Sequence, residues 1–250
     1  VKVDLNCDMG ESFGMYQLGN DEEMMPYITS ANIACGYHGG DPGTMRRTVE
    51  LAKEYNVQIG AHPGFPDLMG FGRRYMHCNP SEIKDYITYQ VGALKAFAGL
   101  YDMPIAHCKP HGALYMMAME DEKIARAILE GIVELDDNII VFAMNNSAVA
   151  EAGEKMGVRI ARETYSDREH TETGSIILTR KGSEIDDYDA MADRVVRMVK
   201  EGKVTAHSGE EADVVAETVC IHADTPGAVK LAEKIRRALL NNGIEISAIR

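Results

Sequence analysis

Along this chain the hydrophobic pattern switches repeatedly between two periods. Short apolar or alternating runs at Lys2–Asp8, Thr29–Cys35, Val57–His62, Ile105–Lys109, Ile139–Ala143, Val158–Arg162 and Val219–His222 predict seven strands. Between most of them apolar residues fall three and four apart. Ile83, Ile87, Val91, Leu94 and Ala98 form one such stripe, and Ala228, Ala232, Ile235 and Leu239 another. Helix starts are marked by Asp41-Pro42 and Asp224-Thr225-Pro226, each a capping carboxylate before a first-turn proline, and by the capping-box order Asn79-Pro80-Ser81-Glu82. Such alternation predicts a mainly parallel sheet flanked by helices. With seven units, a closed or nearly closed barrel competes with an open doubly wound sheet. No linker or repeat divides the chain, so one domain over 1–250 is expected. The polar stretch Ser166–Thr173 ahead of Ile176-Ile177-Leu178 reads as an inserted loop and hairpin, Thr164–Ser183, over the barrel mouth.

Polar residues inside the strands change the picture. Side chains alternate between faces along a strand. Asp4, Asn6 and Asp8 therefore share one face, and Val3, Leu5 and Cys7 the other. By the same parity Gln58 pairs with His62, His107 with Lys109 and His111, and His222 with Asp224, while His38 lies just past the second strand. Five strands thus carry titratable groups to one end and one side. In a parallel α/β barrel that end holds the catalytic residues, and burying such groups without a purpose is costly.

Composition narrows the class. At 45% hydrophobic and 26% charged, the 250 residues have material for a real core. A net charge of −13 argues against a nucleic-acid partner, which requires a basic face. No apolar run reaches the roughly 18 residues of a membrane span. Val1–Leu5 reads as a strand without the charged and apolar regions of a signal peptide, and a cytoplasmic location is expected. The five cysteines, Cys7, Cys35, Cys78, Cys108 and Cys220, contain no C-x-x-C pair, so neither a disulfide framework nor a structural zinc site is expected.

Two chemistries suit the polar set. One is a divalent-metal site ligated by Asp8, His38 and His62. The other is metal-free acid–base catalysis, in which a carboxylate activates water while Lys109 and a histidine stabilise an oxyanion or protonate a leaving nitrogen. No H-E-x-x-H pair, phosphate loop, dinucleotide fingerprint or nucleophile elbow is present. Glycine-rich Gly36–Gly43 would let backbone approach an anion at a helix start, or simply form turns. Cys35 or Cys108 as a nucleophile is a weaker reading.

The blocks Asp4–Glu11, Ser30–His38, Gly60–Asp67, Phe71–Arg74, Lys109–Tyr115 and Thr218–His222 resemble, in order, the signature blocks of the LamB/YcsF family from one end of the chain nearly to the other. That resemblance implies an irregular seven-stranded (β/α) barrel, TIM-like and similar to the glycoside hydrolase and deacetylase barrels. It implies the A component of an ATP-dependent 5-oxoprolinase, a hydrolase that opens the 5-oxoproline lactam to L-glutamate with subunits B and C. ATP would then be a co-substrate bound with the partner subunits. On this reading Asp8, Glu11, His62, Lys109 and His111 are catalytic, and Asn6, Asn32, Arg73 and His222 bind substrate. The chain departs from the family at His170, where a tyrosine is usual, at Thr179 for a proline, and at Ala223 in His222-Ala223-Asp224 for a glycine; Asp167, Arg168, Gly174 and Arg180 are kept. The competing functions are a stand-alone divalent-metal amidase or deacetylase and a non-catalytic ligand-binding subunit.

Overall fold

The computed structural model describes residues 1–177 and 187–249. Its elements run β1 Lys2–Met9, α1 Asp21–Met24, β2 Ser30–Ala34, α2 Pro42–Glu54, β3 Gln58–His62, α3 Pro80–Gly99, β4 Ile105–Cys108, α4 Gly112–Glu120, α5 Glu122–Val133, β5 Ile140–Met144, α6 Ala148–Met156 and β6 Ile160–Tyr165. They continue with α7 Tyr188–Glu201, β7 Lys203–Thr205, β8 Glu211–Asp213, β9 Thr218–Cys220, α8 Ala228–Asn241 and β10 Glu245–Ile246. Thr179, which departs from the family pattern, and Arg180, which keeps it, lie outside the described residues with Leu178 and the rest of the expected insertion up to Ser183.

Seven strands close on themselves in the order β1-β2-β3-β4-β5-β6-β9 and back to β1, all parallel, through Asp4↔Thr218, Leu5↔Val219 and Asn6↔Cys220. The closed barrel is therefore the outcome, and the open sheet is not. β10 adds to the lower half of β1 through Lys2↔Glu245 and Val3↔Ile246. The antiparallel pair β7–β8 lies outside the barrel.

Alternation along β1 sorts the core. Val3, Leu5, Cys7 and Met9 are buried on the outer face, in one continuous apolar cluster with the helices. Burial of this kind stabilises by roughly 25 cal/mol per Å². Inside, Ile140, Phe142 and Ala161 form a separate apolar patch joined by Ile249, and the His107 ring stacks on Phe142 at 4.2 Å.

The helix starts explain themselves locally, with one exception. Asp41 caps α2, accepting from the Gly43 and Thr44 amides at 2.8 and 3.0 Å ahead of Pro42. Glu82 accepts from the Asn79 amide at 2.7 Å. Asp224-Thr225-Pro226, expected as a cap, is not one. α8 starts after Gly227, whose φ is +82°, with no side-chain cap. Asp224 instead pairs with Arg73 at 3.2 Å, and Thr225 donates to Asp167 at 3.3 Å, so the capping groups serve the barrel mouth.

Candidate active site

The floor of the site is a polar stack inside the barrel. Asp4 accepts from Thr29 (2.6 Å), Ser30 (2.7 Å) and Thr218 (2.5 Å). Above it, Asn6 Nδ2 donates to Thr218 at 2.7 Å and to Glu163 at 3.0 Å, while its Oδ1 accepts from Asn32 at 2.8 Å. Asn32 also donates to Asp8 at 2.8 Å and accepts from His107 Nε2 at 2.7 Å. Every amide hydrogen of Asn6 and Asn32 thus has a partner, as buried amides require. Both expected substrate binders are fully buried and hydrogen-bonded within this floor.

Lys109 stands on this floor. Its ammonium lies 3.1 Å from Asp8 Oδ1, 3.0 Å from Glu163 Oε1 and 3.1 Å from Cys220 Sγ. Glu163 is itself held by the Tyr115 and Tyr165 hydroxyls at 2.8 and 2.7 Å. Burial disfavours the Lys109 charge, but Asp8, Cys220 and Glu163 reverse that and push its pKa well above the ordinary value. A lysine so placed keeps Asp8 charged rather than reaching out for an anion. For Asp8, burial pushes the pKa up, but the facing His62 and Lys109 pull it well below the usual carboxylate range.

At the mouth, one wall is built from imidazoles. His62 extends β3 and its Nδ1 lies 2.7 Å from the Lys109 carbonyl. His111 Nδ1 sits 2.9 Å from His62 Nε2, and its Nε2 is 2.8 Å from the Phe71 carbonyl. Phe71 and Gly72 both adopt left-handed backbone, with φ of +53° and +61°. A side chain at Gly72 would meet both His38 and His111, so only glycine fits there. His38 stacks on His111 at 3.6 Å and reaches Glu11 at 3.1 Å. Burial, then the neighbouring rings, push the pKa values of His38 and His111 well down. Burial and the Asp8 and Asp224 charges push Glu11 well up.

The opposite wall carries His222. Its Nδ1 is 2.9 Å from Asp167 Oδ1, and its Nε2 is 4.0 Å from Asp8 Oδ2. Burial disfavours its charge, but Asp167 prevails and raises its pKa well above the ordinary value. Arg168 pairs with Asp167 at 2.7 Å. The cleft between the walls is lined by Asp8, Glu11, His62, Lys109, His111 and His222, with Arg73 and Arg168 among its cationic residues and Ile176 of the inserted segment beside them.

The expected catalytic set, Asp8, Glu11, His62, Lys109 and His111, is therefore gathered in one cleft, with Arg73 and His222. The expected ligand trio meets at the cleft, with Asp8 Oδ2 3.4 Å from His62 Nε2 and the His38 ring 5.2 Å from the His62 ring, centroid to centroid. His38 and His62 also lie beside Glu11 and His111, and Asp8 also lies beside Cys220 and His222. Sequence reasoning missed Glu163, Tyr115 and Tyr165 as site residues. Extending the predicted strand past Arg162 would have placed Glu163 and Tyr165 on the inner face by parity. Cys35 and Cys108 are buried with their thiols pushed up, Cys35 to about 12, which removes both as nucleophiles. The glycine-rich loop packs against the Gly10 and Glu11 backbone, and Asp41 fills the anion position at the start of α2.

The sequence profile of the LamB/YcsF family matches residues 3–250. The chain is 51% identical over 247 residues to the A subunit of 5-oxoprolinase from Pyrococcus abyssi, covering 98% of this chain and 97% of that one. It is 52% identical over 247 residues to the A subunit of 5-oxoprolinase from Thermococcus onnurineus, with the same coverage. The crystal structure of a lactam utilization protein from Thermus thermophilus superposes with a TM-score of 0.94 at 43% identity, covering 100% of both chains.

Proposed function

The chain belongs to the LamB/YcsF family, and on that footing we propose that it is the A component of an ATP-dependent 5-oxoprolinase, opening 5-oxoproline to L-glutamate with B and C partner subunits. One observation carries this reading. A carboxylate held ionised, Asp8, faces an imidazole held protonated, His222, across 4.0 Å of the same cleft. Groups whose environments push their pKa values apart are the mark of an acid–base pair.

A five-membered lactam is an unstrained amide, so its carbonyl requires activation. ATP supplies it by phosphorylating the lactam oxygen. Water then adds to the carbonyl carbon, giving its proton to Asp8. The C–N bond breaks as the ring nitrogen takes the proton from His222, and the hydroxyl of the adduct passes its own proton to the released amine, which leaves the carbonyl of an acyl phosphate and an ammonium group. The resulting acyl phosphate is hydrolysed by a second water to glutamate and phosphate. On this reading Arg73, 38% exposed on its side chain and paired with Asp224, meets the substrate carboxylate or the phosphate.

The chain carries no phosphate-loop motif, which supports ATP binding that depends on the partner subunits. Five unpaired cysteines and the need for ATP support a cytoplasmic location. Among the described residues no helix is long and apolar enough to cross a membrane. The test is reconstitution. The purified chain with ATP and 5-oxoproline should release little glutamate, and adding B and C should restore release coupled to ADP formation. Full activity of the chain alone would overturn the division of labour.

A further inference from the structure

We propose that Glu163 is a positioning residue of this site: its charge draws the Lys109 ammonium to one side of Asp8, and Asp8 thereby keeps one oxygen free to act as a base toward the cleft. The proposal rests on the lactam-opening reading only for the reaction that Asp8 serves.

Glu163 lies below the cleft. It is 1% exposed and pairs in register with Thr218, which pairs in turn with Asp4 at the floor. Among the described residues four donors hold it. Oε1 accepts from Lys109 and from Asn6 Nδ2, both at 3.0 Å, and Oε2 accepts from the hydroxyls of Tyr115 at 2.8 Å and Tyr165 at 2.7 Å. An ionised carboxylate has about four lone-pair sites to satisfy, and burying one is costly unless they are used. The donors come from β1, β6, α4 and the residue just past β4, so the carboxylate is fixed from four directions. Burial, then the Glu163 charge, push both tyrosine pKa values well up, which keeps the hydroxyls as donors.

Across Lys109, the two oxygens of Asp8 are used differently. Oδ1 accepts from Lys109 at 3.1 Å and from Asn32 at 2.8 Å. Oδ2 faces His62 Nε2 at 3.4 Å and His222 Nε2 at 4.0 Å, on the cleft side. A lysine paired with a single carboxylate neutralises it and weakens it as a base. Here one ammonium serves two carboxylates, and its three N–H groups spread over Asp8, Glu163 and the Cys220 thiol, which is 3.1 Å away. Part of the Asp8 charge stays unbalanced, and Oδ2 is the oxygen that offers it to water.

A role in shape alone makes a different demand. A glutamine at this position keeps the outline, and its amide oxygen still accepts from Lys109 and Asn6. An aspartate is one methylene short but keeps the charge. Glu163→Gln and Glu163→Asp therefore separate the two roles.

Both variants are measured in two ways, with circular dichroism confirming folded protein. In the complex with B and C, Glu163→Gln should lower kcat for glutamate release by roughly 10–100-fold with KM for 5-oxoproline within about twofold, the cost of a misplaced reacting group. Glu163→Asp should retain more of kcat than Glu163→Gln. In the chain alone, without substrate, ¹⁵N NMR should show the Lys109 ammonium protons as a slowly exchanging signal. Its nuclear Overhauser contact with the Tyr165 ring, centred 5.4 Å from the nitrogen, identifies it. Glu163→Gln should speed that exchange about tenfold or more as a charge-assisted bond is lost, and Glu163→Asp should speed it less. Where Glu163→Gln does not fold, Tyr115→Phe combined with Tyr165→Phe frees Oε2 and should move both measurements the same way. A kcat or an exchange rate that Glu163→Gln leaves unchanged would overturn the proposal, as would a wild-type chain without the slow signal. Glu163→Asp more damaging than Glu163→Gln would assign the residue to shape and overturn it too. A wild-type complex that releases no glutamate would instead overturn the lactam-opening reading, and the exchange measurement alone then decides whether Glu163 anchors Lys109.

Discussion

His222 shows how single groups are set in this protein. It faces Asp167 from the segment after β6, Asp8 from β1 and the Cys220 thiol from its own strand, with the Tyr165 ring stacked at 5.7 Å. Its pKa is raised, so the stabilisation it gives is full below its ordinary value of 6.5 and is lost as pH rises through the folded value. Asp167, lowered from 3.8, gives stabilisation present above 3.8 and lost as pH falls through its folded value. We therefore expect the thermal midpoint to decline as pH rises above 6.5, and Asp167→Asn to flatten that decline, measured from about pH 5 to pH 9. An unchanged slope would mean that the ion pair does not govern it. Much of this scale was legible in the sequence. Side-chain parity alone brought Asp8, His62, Lys109 and His222 to one cleft. It did not reveal that Asn6 and Asn32 support the floor, because parity gives a face and not a depth.

Elements were legible where apolar period and cap chemistry agreed. All seven barrel strands lie where the pattern put them, to within a few residues at their ends, and α2 and α3 start at their marked caps. What was missed was short or diverted. β7, β8 and β10 span only two or three residues each, too few to set a period. The Asp224-Thr225 signal was real chemistry drawn to tertiary partners, Arg73 and Asp167. Asp41 is the opposite case, a cap that also ties down a loop, because its Oδ2 accepts from the Gly14 amide at 2.9 Å. These amides hold its pKa down to about 2. Asp41→Ala should cost about 1 kcal/mol from the helix cap. The loop from Phe13 to Tyr16 should also exchange its amide hydrogens faster. Chemical denaturation and hydrogen exchange check the two effects separately, and slow exchange in that loop would detach it from the cap.

For the whole molecule the decisive contact is the seam between β9 and β1. Thr218 sits on it, donating to Asp4 at 2.5 Å and accepting from Asn6 at 2.7 Å. Thr218→Val keeps the volume and removes both bonds. Leaving buried polar groups unpaired costs about 1–3 kcal/mol each, so the unfolding midpoint should fall accordingly in a denaturant titration. A loss below a few tenths of a kcal/mol would mean that water replaces the hydroxyl. The seam also sets a timetable. Its two sides are 214 residues apart in the chain, and synthesis at roughly 5–20 residues per second separates their appearance by about ten seconds or more. A chain in which β1 has paired with β2 before β9 is made would carry an open edge on β1. Such an edge is open to strand pairing with neighbouring chains until β9 closes it.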